Sequence, residues 1–356
     1  MSSGRSSLPS HLQQQASRVM CGPASVSYTS SVKTSGAFRS MAVDNTFDLQ
    51  QFTEVMKIKI QSYDRKEGML VFDLIGVDAP IANAFRRILI AEVPTMAIEN
   101  VYIRNNTSII QDEVLAHRLG LIPIKVDPRL FQFKAPEDDP TDDNTIVFQL
   151  KVRCSKAPGG ENFQDPEKRY INAKVFSRDL IWEPQGEQEE IFAENPIAPV
   201  QDDILIAKLR PGQEIDVELH CTKGIGREHA KWSPVSTASY RLMPDIQLMN
   251  DITDEKADEL VAKCPMGVFD IEDLGGGERR AVVSKPRNCT VCRECIREEE
   301  WSKQVKVMRV RDHFIFSVES TGILPPDVLV KEAITVLISK CQTLIAELDK
   351  LQSVDK

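Results

Sequence analysis

The chain has 356 residues and a formal net charge of -9 with no basic run, so electrostatics give no reason to expect nucleic acid as a direct partner. Its composition, 42% hydrophobic and 27% charged, is that of an ordinary globular protein with room for a substantial core and, as a prior, two domains; no apolar stretch approaches a membrane span. Eight cysteines in a chain this long are not a secreted disulfide framework, and four of them cluster late, which in a reducing compartment points to metal.

Residues 1–50 read as a disordered tail, rich in Ser and Gln and without periodicity. Before Asp44 the segment has no acidic residue but carries Arg5, Arg18, Lys33 and Arg39, a profile shared with organelle transit peptides; the plainer reading is a disordered extension with a downstream start at Met41. From Glu54, Met56, Ile58 and Ile60 alternate with Lys57 and Lys59 as in a half-buried strand. "DRKEG" then makes a turn and "MLVFDLIG" a second strand. In "VDAPIANAFRRILIAEVPT" Asp78 and Pro80 start a helix and Pro94 ends it, with Ile81, Phe85, Ile88 and Leu89 on one face and Arg86 and Arg87 side by side in the middle. "MAIENVYIRNNTSII" reads as strand, loop, strand, and Asp112 to Leu119 as a short helix stopped by Gly120 and Pro123. Polar loops bracket one strand, "TIVFQLKVRC", and further strands are expected at 171–176 and 214–221.

Residues 251–263 look helical and lead into the cysteines. "CTVCREC" supplies Cys289, Cys292 and Cys295 at C-x2-C-x2-C spacing, and Cys264 is followed by Pro265. In bacterial-type ferredoxins three cysteines so spaced and a Cys-Pro from elsewhere hold one [4Fe–4S] cluster. Zinc in a four-thiolate site needs the same ligands. A vestigial lobe that binds nothing, and plain free thiols, complete the alternatives. Two strands follow, "VKVMRVRD" and "HFIFSVES". Pro325, Pro326 and Asp327 then open a long last helix, in which Ile334, Leu337, Cys341, Leu344, Leu348 and Leu351 form an a/d seam. A core helix of this chain alone is one reading of such a seam; Val330, Val336 and Ile338 widen the apolar surface beyond it, so a partner helix is the expectation.

Four long stretches, "PIANAFRRILIAEVPTMAIENV" at 80–101, "LAHRLGLIPI" at 115–124, "KGIGREHAKWSPVSTASYRLMP" at 223–244 and "ESTGILPPDVLVKEAITVL" at 319–337, occur in the order in which alpha-type subunits of DNA-dependent RNA polymerase carry them. The chain resembles that family over nearly everything after residue 50. Within it the resemblance is greatest to the larger alpha-like subunit shared by eukaryotic polymerases I and III. The related polymerase II subunit carries an early zinc-binding cysteine cluster, whereas residues 100–160 here contain only Cys154.

The resemblance implies an α+β fold: a discontinuous alpha-type dimerisation domain from 54–98 and 303–353, and a largely β inserted domain over 99–302 carrying a small ferredoxin-like lobe at 251–298. It implies a heterodimer with a smaller alpha-like subunit, with Phe85, Ile88, Leu89, Ile334, Leu337, Cys341, Leu344 and Leu348 at the interface. Arg86 and Arg87 would contact the large subunits, with mere solvation of the helix as their alternative, and His229 and Trp232 would do so too, with internal packing of a loop as the alternative for both. The expected role is a non-catalytic assembly platform in polymerases I and III, supporting synthesis of rRNA, 5S rRNA and tRNA. The expected place is the nucleus, including the nucleolus, with no sequence-specific nucleic-acid contact of its own and no membrane. No nucleophile-and-base grouping stands out, and the five histidines are scattered. Two readings compete: an iron–sulfur electron-transfer protein, resting on the cysteines, and an organellar polymerase subunit, resting on the tail.

Overall fold

The computed structural model describes residues 10–30, 37, 46–159, 165, 169–275 and 277–354. It divides into two compact units, Met1–Gln61 with Val71–Asn83 and Ser239–Phe316, and Ser62–Leu70 with Ala84–Ala238 and Ser317–Lys356. Both mix helices with strands, and the register of the sheets is antiparallel wherever it is set out below, an α+β organisation. The boundaries between the units fall inside four strands, Lys57–Asp64, Met69–Ile75, Val235–Leu248 and Val305–Ser320, and one helix, Ala79–Ala91.

The sheet of the first unit is built on Val305–Ser320, in the order Val26–Ser27, Arg18–Cys21, Val305–Ser320, Met69–Ile75, Lys57–Asp64, with Val235–Leu248 also paired to the central strand. The expected hairpin therefore lies beside that strand. Phe72 stacks on Phe316 with ring centroids 5.2 Å apart, and Tyr240 meets Phe314 edge-on at 5.2 Å, an aromatic core that suits the strand pattern. The two strands expected over 305–320 are one. Asp312 and His313 look like a break, but the Asp312 carbonyl accepts from the Gly76 amide at 2.7 Å and His313 lies 3.3 Å from Asp73, so the backbone continues through them.

Part of the segment 1–50, expected as a disordered tail, has regular structure where it is described. Ser10–Ser17 is helical, Arg18–Cys21 pairs with Met308 and its neighbours from Val307 to Val310, and Leu49–Val55 is a helix capped by Asp48, which accepts from Gln50 and Gln51. A four-residue strand is ordered by the edge it joins rather than by any periodicity of its own. Residues 1–9, 31–36 and 38–45, with Met41, lie outside the described residues.

In the second unit a sheet runs in the order Ile181–Glu183, Thr145–Arg153, Glu214–Ile225, Pro94–Asn106. Val217 faces Leu150 and Leu219 faces Phe148, so alternate residues of the two middle strands fill one apolar core with Ile146, Ile215 and Cys221. The helix Asp112–Gly120 adds Leu115 and Leu119 to that core, and its Arg118 donates to the carbonyls of Ile206 and Leu205. Residues 94–106 form one strand where a strand, a loop and a strand were expected. Its polar middle pairs with 214–225, and irregularities between Asp216 and Val217 and between His220 and Cys221 absorb the change of register.

Candidate functional site

The closing helix, Pro326–Val354, starts on a proline with Asp327 in its first turn, where a missing N–H costs nothing and a carboxylate suits the helix dipole. Its base is tied down. Leu329 and Ala333 are fully buried, and Tyr63 donates to Asp327 at 2.7 Å, which holds the Asp327 carboxyl below the usual carboxylate range. Arg129 reaches Glu332 at 3.3 Å and Lys340 reaches Glu92 at 2.7 Å. From Cys341 to Leu351 every residue is exposed. Leu344, Ile345, Leu348 and Leu351 thus stand in water on a helix about 43 Å long. Of the seam residues before them, Ile334 is exposed and Leu337 half-buried.

The opening helix, Ala79–Ala91, behaves differently. Phe85, Ile88 and Leu89 are buried within this chain, so they belong to its own core and offer a partner no free surface. A 3.6-residue period marks the face that is covered, not what covers it. The exposed apolar residue on this helix is Ile81, at 41%. Arg87 is exposed and Arg86 half-buried.

The stretch 223–232 is packed against the end of that helix. A side chain on Gly226 would stand 2.3 Å from the Ile90 carbonyl oxygen, and the Arg227 amide donates to Ala91 at 2.8 Å. A side chain on Gly224 would run into the Trp232 ring. The two glycines are needed for close approach. Trp232 is only 6% exposed. Its Nε1 donates to the Thr222 carbonyl at 3.1 Å, and its own carbonyl accepts from Thr95 Oγ1 at 2.7 Å. Trp232 is therefore packed internally, the alternative that the sequence left open for it. His229 is exposed and accepts from the Lys231 amide through Nδ1. Beside it a groove runs between Val101, His117, Leu121, Glu228 and Lys231, the last of which pairs with Glu99 and donates to the Ile98 carbonyl at 2.9 Å. Leu121 is exposed in this groove, and only its place after the helix stop at Gly120 hints at it in the sequence.

The four late cysteines meet in the first unit. Cys264 caps the end of the helix Asp254–Lys263, and the turn Pro286–Asn288 delivers Cys289. Val291 and Arg293 take left-handed backbone angles, φ 59° and 69°, which wrap the loop so that Cys292 and Cys295 come back to the same cavity. Cys264, Cys289, Cys292 and Cys295 all line it, among Val268, Phe269 and Val307. Burial, followed by the neighbouring cysteines, pushes Cys295 up to about 12; burial also raises Cys289. Amides already point at two of the sulfurs, Val268 at Cys264 and Val291 at Cys289, each at 3.4 Å. Among the described residues no three His, Cys, Asp or Glu are grouped tightly enough to hold one metal ion. The donor set is one that a four-thiolate zinc site and an iron–sulfur cluster share.

Just upstream, Arg287 makes a bidentate pair with the buried Asp73 at 2.8 and 3.0 Å, and Gln61 donates to the same carboxylate at 2.7 Å. Burial pushes the Asp73 carboxyl up, but the hydrogen bonds of Arg287 and His313 and their charge hold it below the usual range. The sequence reading missed this pair, whose members are 214 residues apart.

Comparison with known proteins places these features together. Residues 71–341 match the family described as the RNA polymerase Rpb3/Rpb11 dimerisation domain. The chain is 54% identical over 319 residues to the DNA-directed RNA polymerases I and III subunit rpac1 of Dictyostelium discoideum, covering 89% of each. It is 49% identical over 343 residues to the corresponding RPAC1 of Homo sapiens, covering 96% of this chain and 98% of that one. The DNA-directed RNA polymerase II subunit rpb3 of Dictyostelium discoideum is 32% identical over 289 residues, covering 78% and 91%. Matches of this extent do not favour an electron carrier, a reading that rests on the cysteines alone, or the organellar reading, which rests on the tail.

Proposed function

The chain belongs to the RNA polymerase Rpb3/Rpb11 dimerisation family, and from that premise we propose that it is the larger alpha-like subunit of nuclear RNA polymerases I and III. It pairs with a smaller alpha-like subunit and forms the platform on which the large catalytic subunits assemble for synthesis of rRNA, 5S rRNA and tRNA, in the nucleus including the nucleolus. It supplies no catalytic residue. The observation that carries this reading is the far half of the closing helix, where Leu344, Ile345, Leu348 and Leu351 are bare. An apolar helix end of this length is not stable in water by itself and is completed by a partner helix. Exposed Arg87 and His229 are offered to the large subunits, Arg87 through the bidentate geometry that suits carboxylates and carbonyl edges. The functional division is a dimerisation domain from 54–98 and 303–353 and an inserted domain between them.

The small lobe at 251–298 is ferredoxin-like and holds a [4Fe–4S] cluster on Cys264, Cys289, Cys292 and Cys295, supported by their shared cavity and by the amide contacts to sulfur. Such a cluster would supply a structural cross-link between the helix end and the cysteine loop. Co-purification of the tagged chain with mass identification of its partners tests the subunit assignment; recovery without any polymerase subunit would overturn it. Anaerobically purified chain should carry iron and acid-labile sulfide in near-equal amounts. One zinc per chain, or no metal, would replace the cluster.

A further inference from the structure

We infer that residues 10–30 are a strap that closes one wall of the cysteine cavity, so that chains with and without it differ in access to those thiols. The inference takes its site from the metal reading above. Two cavity-lining residues are held by the strap. Val307 is paired in register with Cys21, and the Arg293 guanidinium donates to the Pro23 carbonyl at 3.3 Å. Cys21 is itself 5% exposed and sits in the same apolar cluster as Cys295, Ile296, Trp301, Val305 and Val307, against which Cys264 and Cys289 also pack.

The strap is fastened along its length. Arg18 pairs with Asp245 at 2.6 Å, and Arg311 donates to the carbonyls of Arg18 at 3.2 Å and Ser30 at 2.9 Å. Gln14 reaches the Met308 sulfur at 3.4 Å. These contacts are distributed over a segment with only four residue pairs to the central strand. Such an element opens locally at far lower cost than the sheet it joins. If it were a passive edge, nothing behind it would change on its release. Here the residues behind it include two that face the cysteines.

The experiment compares the full chain with one that begins at Met41, both purified without denaturant, by iodoacetamide labelling and peptide mass mapping. In the shorter chain Cys289 and Cys295 should label at least about tenfold faster, the factor that each ~1.4 kcal/mol of lost protection produces. Cys154 and Cys221, buried in the other unit, should keep their rates. In the full chain Arg18→Glu should raise labelling part of the way, and the exchange Arg18→Asp with Asp245→Arg should return it to the starting rate. Equal rates at Cys289 and Cys295 in all of these chains would overturn the strap. Should the shorter chain also label Cys154 and Cys221, its fold has failed and the Arg18 series decides: no rise in Arg18→Glu overturns the inference. Iron, sulfide and zinc measured on the same samples separate the two readings. Absence of metal with the rate difference intact removes the cluster and keeps the strap; where metal is present it masks the thiols, and its loss to a chelator should be faster from the shorter chain, equal loss from both overturning the strap.

Discussion

Replacing Leu344 by Asp should abolish pairing with the smaller alpha-like subunit while leaving the chain itself folded. Leu344 is 62% exposed, so most of its side chain has yet to be buried. Full burial of a leucine is worth about 1.5–3 kcal/mol, which leaves about 1–2 kcal/mol for the partner to gain at this position. The aspartate loses that gain and adds the cost of removing a carboxylate from water, several kcal/mol when no cation answers it. A combined loss of at least about 4 kcal/mol weakens association roughly a thousandfold. In the isolated chain the same residue faces solvent, and the change costs only the helix-propensity difference, under about 0.7 kcal/mol. Co-expression with the tagged small subunit reads the first effect, and thermal melting of the purified chain reads the second. Normal co-elution of the variant would show that the interface lies elsewhere. A large fall in melting temperature would show that Leu344 belongs to the chain's own core.

Backbone amides of 341–354 should exchange quickly in the isolated chain and become protected in the heterodimer, as measured by hydrogen exchange; protection already present in the isolated chain would remove the argument for a partner. Asp73→Asn should destabilise the first unit by about 2–3 kcal/mol in a denaturant titration, less than the 3–5 of a fully buried broken pair because Arg287 keeps 30% of its side-chain exposure. Because the Asp73 carboxyl is held low, its contribution is present above the unfolded value of about 3.9 and disappears as pH falls through the folded one; the variant's melting temperature should lose part of that acid dependence. Gly226→Ala forces a methyl against the Ile90 carbonyl and should cost about 1–3 kcal/mol by thermal melting, whereas an unchanged melt would mean that the loop can shift aside. Cys292→Ser should loosen the cysteine lobe to limited proteolysis yet leave heterodimer formation intact; loss of pairing would mean that the lobe supports more of the chain than itself.

The parts of this molecule that could be read from the sequence are those whose signal is local. The closing helix announced itself through proline, aspartate and a 3,4 spacing, and the bare residues Ile334, Leu344, Leu348 and Leu351 lie on that seam. The opening helix was equally clear as an element, but its period could not say whether Phe85, Ile88 and Leu89 are covered by this chain or by another. Periodicity reports burial and not the identity of the neighbour, which is why the same rule picks out a bare seam on one helix and a face already covered within the chain on the other. The strap at 10–30 failed for the opposite reason. Its order comes from an edge some 290 residues away in the chain and from arginines that bond backbone carbonyls, as in Arg311 to Arg18 and Arg293 to Pro23. Neither leaves a period. The glycines of "KGIGREHAKW" stand between these cases. Their presence marked a special backbone, but only the Trp232 ring and the Ile90 carbonyl explain why nothing larger than glycine is tolerated there. Trp232 is the wedge that holds the loop, and His229, three residues before it in sequence, is among the side chains that the loop leaves exposed.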